Sequence, residues 1–145
     1  MVQHIALTSL HPTQMTLGLR EVARRMAGFL ALQPRQRTEY IAERIVPCVR
    51  GPRQRLFLID RHHMCRALLD AGSTTVVCSL VEDFSGLQPN EFWQRMDSCG
   101  WAHAFDAHGR RRPAADIPGS LQELQDDPYR ALASVLRREN GYAAA

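Results

Sequence analysis

The chain contains no lysine: all 18 of its basic residues, in a length of 145, are arginine. That absence removes a Schiff-base nucleophile and a P-loop phosphate ligand from the chemistry open to it. No apolar run approaches the roughly 20 residues needed to span a bilayer, so no membrane segment is expected. No Cys-x-x-Cys pair occurs, and Cys48, Cys65, Cys78 and Cys99 are widely scattered. Such spacing suits buried small hydrophobes better than disulfides or a zinc site. The N-terminus, Met1-Val2-Gln3-His4, lacks a basic region followed by an apolar core, so a cytoplasmic protein without signal peptide is expected. Aromatics are sparse at 7%, with few beside Arg110-Arg111-Arg112. That run reads as a solvated loop before it reads as a grip on a polyanion, and DNA is a secondary candidate partner.

What is present is the composition of an ordinary folded domain. Hydrophobic residues make up 45% and charged residues 23%, with a net charge of +3. One domain over 1–145 is expected, large enough to bury a core. The charge is too small to announce nucleic-acid binding. An arginine-only complement fits codon bias, and it also fits bidentate phosphate recognition.

Periodicity places the elements. His4-Ile5-Ala6-Leu7 predicts a strand, with a turn at His11-Pro12. Leu19, Val22, Ala23, Met26, Phe29 and Leu30 recur at helical spacing within 17–32, with Thr16 as the expected cap and Pro34 as the stop. A second helix is expected over 36–45. Val46-Pro47-Cys48-Val49 predicts a strand whose proline marks an edge or a strand start. After the Arg50-Gly51-Pro52-Arg53 turn, Leu56-Phe57-Leu58-Ile59 reads as a strand covered on both faces. A helix over 62–71 closed by Gly72 and a strand over 75–81 follow. Asn90 is the expected cap of a helix through Phe92 and Met96 that stops at Gly100, with Trp93 and Trp101 packing this half of the core. Asp126-Asp127-Pro128 opens a final helix to about Arg138, and the paired carboxylates read either as its N-terminal charges or as Mg²⁺ ligands.

The chemistry concentrates at Ile59-Asp60-Arg61-His62-His63-Met64-Cys65-Arg66-Ala67, where an apolar strand delivers polar residues to a helix start. Amides and the helix dipole favour an anion there. Arg61, His62 and His63 are candidate phosphate donors, and either histidine can move protons near neutral pH. Asp60 is a candidate Mg²⁺ ligand, a histidine-orienting group or a helix cap.

This stretch resembles the ParB-like nuclease family, in which a strand ends in an Asp-x-His-His run and continues into an Ala-Leu helix. Leu10-His11-Pro12-Thr13-Gln14, Val46-Pro47, Phe92-Trp93-Gln94-Arg95-Met96, Ile117-Pro118-Gly119-Ser120-Leu121 and Asp126-Asp127-Pro128-Tyr129-Arg130-Ala131-Leu132-Ala133 are similar to the same family, in the same order. The resemblance implies an α+β fold of the ParB/sulfiredoxin type, a small mixed sheet with flanking helices. The reactive cysteine of sulfiredoxin-like proteins is replaced here by His62, and the Gly-Glu-Arg-Arg run of partition proteins is missing. The closest pattern is the Asp-Gly-His-His-Arg of the free-serine-kinase-like branch, with Arg61 in place of glycine and Met64 in place of arginine. The implied activity is phosphate chemistry, as a nuclease or a nucleotide-dependent phosphotransferase or hydrolase; the alternative is a non-catalytic nucleotide- or DNA-binding module. The implied ligands are Mg²⁺ and a nucleotide such as ATP, ADP or CTP, with Gln14 and Arg66 joining Arg61 and the histidines around it. The segment after the first strand lines the nucleotide cleft in this fold, which makes Glu21 a candidate general base. Glu21 also suits ordinary pairs with Arg24 and Arg25 on its own helix. The oligomeric state is left open.

Overall fold

A computed structural model of the chain describes residues 2–127. The expected final helix lies almost wholly outside those residues.

Alternation along the strands divides the molecule into two packed layers. The strands are β1 (Val2–Ala6), β2 (Leu10–His11), β3 (Thr16–Leu17), β4 (Val46–Arg50), β5 (Leu56–Leu58), β6 (Thr75–Asp83) and β7 (Gln125–Asp126). The helices are α1 (Leu19–Leu30), α2 (Pro34–Glu43), α3 (His62–Asp70) and α4 (Pro89–Ser98). Five strands form a mixed sheet in the order β1-β6-β4-β5-β2, and β3 pairs with β7 in a separate two-stranded ladder. Within the sheet β4 runs parallel to β6 and antiparallel to β5, while β2 runs parallel to β5. Because side chains alternate across a strand, Cys48 and Leu58 enter one core with Val22 and Phe29 of α1 and Met64 and Leu68 of α3. Their neighbours Val49 and Phe57 enter a second core with Phe92 and Met96 of α4. Trp93 and Trp101 pack against this second core, as expected.

The elements follow the periodicity, and their boundaries differ where distant chain intervenes. Thr16 is not the cap of α1: it lies in β3, paired with Gln125, and Gly18 in extended conformation precedes the helix instead. Pro34 ends the α1 segment and occupies the first turn of α2, where its missing N–H costs nothing. Pro89 does the same for α4, so that helix starts behind Gln88 and Asn90 is not its cap. Pro47 stands in a central strand, not at an edge. It is the second residue of β4, and its carbonyl accepts the Ile59 N–H at 3.0 Å. At Gly51 a Cβ would lie 2.6 Å from the Phe57 ring and 2.9 Å from the Phe92 ring, so the second core requires glycine there. Among the described residues no helix is long and apolar enough to cross a membrane.

Candidate functional site

The strand-to-helix junction after β5 forms as expected, and its backbone carries a constraint. Arg61, the residue before α3, adopts a left-handed conformation (φ 66°, ψ 30°). This is the position at which the related Asp-Gly-His-His-Arg pattern has glycine, the residue for which such a φ is free of steric cost. Asp60 Oδ1 accepts the Arg61 N–H at 2.8 Å and stabilises the turn. Arg61 is exposed and donates Nε to the Ile45 carbonyl at 3.0 Å, a bond that engages one edge of its guanidinium.

The two histidines then diverge. His62 is buried, and its Nε2 accepts the Thr13 N–H at 3.0 Å, with the Thr13 hydroxyl 3.4 Å away. That hydroxyl donates to the Leu58 carbonyl at 2.9 Å. A nitrogen that accepts an amide hydrogen holds a lone pair, so the neutral His62 ring carries its proton on Nδ1. Thr13 is thus the residue that sequence reasoning missed. It sits inside the Leu10–Gln14 segment that carries the resemblance, and nothing local assigns it a role.

His63 faces α1 instead. Its Nε2 accepts the Gly18 N–H at 3.0 Å and lies 3.8 Å from Glu21 Oε2. One nitrogen cannot accept from an amide and donate to a carboxylate at once. The shorter, directed amide bond defines the neutral ring, and Glu21 stands beside it as a carboxylate ready for an imidazolium. Glu21 uses its other oxygen for Arg25 at 3.4 Å and Arg24 at 3.7 Å, so the helical pairs also form. At the next amide, Leu19 N–H donates to Asp126 Oδ1 at 2.9 Å. Asp126 therefore caps α1 from across the molecule, and it belongs to β7.

The structure thus brings Glu21, His63 and Asp126 together where α1 and α3 begin. Arg66, by contrast, braces the fold. Its Nε contacts both Asp70 oxygens at 3.1 Å, and Nη1 donates to the Leu121 and Leu124 carbonyls at 3.0 and 3.3 Å. Gln14 donates Nε2 to the Thr16 carbonyl at 2.8 Å, holding the loop that leads into α1. Among the described residues no three His, Cys, Asp or Glu side chains gather as a metal set. Arg110-Arg111-Arg112 follows the surface turn at 107–109, with Arg111 bridged to Phe105; Arg111 pairs with Asp97 at 3.2 Å and Arg112 with Asp116 at 3.0 Å.

A mixed sheet with helices on both faces, and a strand that ends in Asp-Arg-His-His at a helix start, define an α+β domain of the ParB/sulfiredoxin type. The family model described as "Putative ParB-like nuclease" matches residues 3–145, and the chain belongs to this ParB-like nuclease family. The crystal structure of protein Atu1540 from Agrobacterium tumefaciens is similar over 100% of this chain and 71% of that one, with 39% identity and a TM-score of 0.90. No curated protein matches the chain.

Proposed function

We propose that the corner where α1 and α3 begin performs phosphate-ester chemistry, as a nuclease or as a nucleotide-dependent phosphotransferase or hydrolase. The observation that carries this reading is His63, whose Nε2 rests on the Gly18 amide with Glu21 Oε2 at 3.8 Å. A proton taken up at Nε2 displaces the hydrogen bond from the Gly18 N–H and makes the ring a cation facing Glu21. General-base action and its electrostatic support are therefore side by side. The two helix dipoles favour an anionic substrate at this corner. Arg61 supplies a guanidinium for phosphate oxygens. His62, Gln14 and Arg66 act as positioning residues, through Thr13, the Thr16 carbonyl and the Leu121–Leu124 segment.

Asp60 is one carboxylate, which suits Mg²⁺ arriving on the phosphates of ATP, ADP or CTP, since this ion binds through one or two carboxylates plus phosphate and water. The charge neutralisation such an ion supplies would add to that of Arg61. A second reading, a binding module for nucleotide or DNA without turnover, is favoured by one observation: both imidazoles already accept backbone amides.

The test incubates the protein, His63→Ala and Glu21→Gln with ATP, ADP, CTP and single- and double-stranded DNA, with and without Mg²⁺. Turnover that falls about 10²-fold or more in both variants is the expected result. Turnover unchanged by either substitution removes the pair from the mechanism, and saturable binding with no product selects the module.

A further inference from the structure

Away from the α1–α3 corner, the β4–β5 turn and α4 enclose a cavity of about 280 Å³ lined by Arg53, Arg55, Phe57, Pro89, Phe92 and Trp93. No carboxylate lines it, so the two arginines give the wall a positive charge. Guanidinium groups bind phosphate oxygens in pairs, and aromatic faces accept bases of any identity. Trp93 is half-buried and held edge-on against Phe57 (5.5 Å, 81°) and Phe92 (5.1 Å, 65°). The ring is therefore braced from below.

The turn that presents Arg53 is strained in a specific way. Arg53 (φ 60°) and Gln54 (φ 61°) are both left-handed, and the Arg55 N–H closes the turn onto the Pro52 carbonyl at 3.3 Å. A two-residue hairpin turn of this geometry is met without strain by Asn-Gly. Here two long side chains occupy both positions, at a steric cost that the turn itself does not require. A left-handed residue with a functional side chain is the kind of outlier from which a site is inferred.

Trp93 also lines a second cavity, of about 410 Å³, whose wall includes Asp97, His103, Phe105, Arg111 and Arg112. Phe105 is 47% exposed. The Arg111–Asp97 and Arg112–Asp116 pairs are exposed and weak, so phosphate can compete for these guanidiniums. One cavity would suit a free nucleotide. Two cavities sharing a tryptophan, each with its own pair of arginines, suit consecutive nucleotides of a strand.

We propose that the Trp93-centred pair of cavities binds single-stranded nucleic acid, with a base against Trp93 and the flanking phosphates on Arg53 and Arg55 at one end and Arg111 and Arg112 at the other. The proposal is read as binding and does not rest on turnover at His63.

Fluorescence anisotropy of a labelled oligothymidylate in EDTA, with quenching of tryptophan emission, tests it. Saturable, salt-sensitive binding is expected, weakened about tenfold by Trp93→Leu and by Arg55→Gln. Arg53→Gly is the most informative variant: it should lower affinity while leaving the melting temperature unchanged or higher, because glycine relieves the left-handed turn. Should Trp93→Leu fail to fold, the two arginine variants carry the test. No saturation by about 100 µM protein, or affinity indifferent to Arg53→Gly and Arg55→Gln, overturns the proposal. Equal affinity for a duplex of the same length overturns the single-strand preference, and equal affinity for thymidine monophosphate replaces the strand with a free nucleotide.

Discussion

His62 and His63 are neighbours in sequence and opposites in role because a helix turns about 100° per residue. The first ring enters the core beneath Thr13, and the second meets α1 at Gly18. Their substitutions should therefore separate stability from activity. His62→Ala leaves the buried Thr13 N–H without its acceptor and opens a void, a combined cost of about 2–4 kcal/mol. His63→Ala sits at a partly open corner and should cost about 1 kcal/mol or less, the worth of one hydrogen bond, while lowering turnover about 10²-fold or more. Urea denaturation of both variants beside the turnover assay checks the split. If His63→Ala proves the more destabilising of the two, the ring is a structural strut and not a proton carrier. The residues with positive φ show how little of this scale is visible beforehand: Arg53 and Gln54 have no sequence feature that marks a left-handed backbone, and Arg61 is marked only by the glycine that a related pattern has in its place.

At the scale of elements, the start of α1 is completed by a carboxylate 107 residues away. Asp126→Ala should cost about 0.5–1 kcal/mol, as loss of a helix cap does, and should speed hydrogen exchange at the Leu19 amide. Unchanged exchange at that amide would show that the cap is dispensable. A second prediction concerns β2, where the His11 ring lies 5.2 Å from Phe57. Burial lowers the His11 pKa from its ordinary 6.5, the Arg55 charge lowers it further, and a hydrogen bond with the Gly119 backbone opposes both. The folded state thus binds this proton less readily than the unfolded chain. Stability from His11 is fully present above pH 6.5 and declines as pH falls below it toward the folded pKa. His11→Gln should flatten that slope between pH 7 and pH 5, and Arg55→Gln should raise the His11 midpoint followed by NMR. A midpoint that stays put in Arg55→Gln would assign the shift to burial alone.

At the scale of the molecule, the sheet separates two cores, and the one packed under α1 and α3 takes up three of the four cysteines. Cys48, Cys65 and Cys78 are buried and free, as the scattered spacing suggests, whereas Cys99 lies exposed after α4 and is not a core residue. Burial pushes the Cys65 thiol up to about 12, and a hydrogen bond with Cys78, followed by burial, raises Cys48, so both stay protonated at neutral pH. A thiol reagent should modify Cys99 alone in the native protein and all four cysteines after denaturation. Rapid native labelling of Cys65 would mean that the α3 core opens more readily than its packing implies.

Much of this architecture was legible from residue patterns. The helical spacing in α1 and α3, the β-branched run of β6 and the strand-to-helix delivery of Asp60–His63 are local properties, determined within a few residues by side-chain shape and backbone geometry. Which amide meets which acceptor was decided only by the tertiary structure. Thr13 reaches His62 across 49 residues, Gly18 reaches His63 across 45, and Leu19 reaches Asp126 across 107. A hydrogen bond acts over about 3 Å, so such partners are chosen by where the whole chain runs and not by their neighbours in sequence.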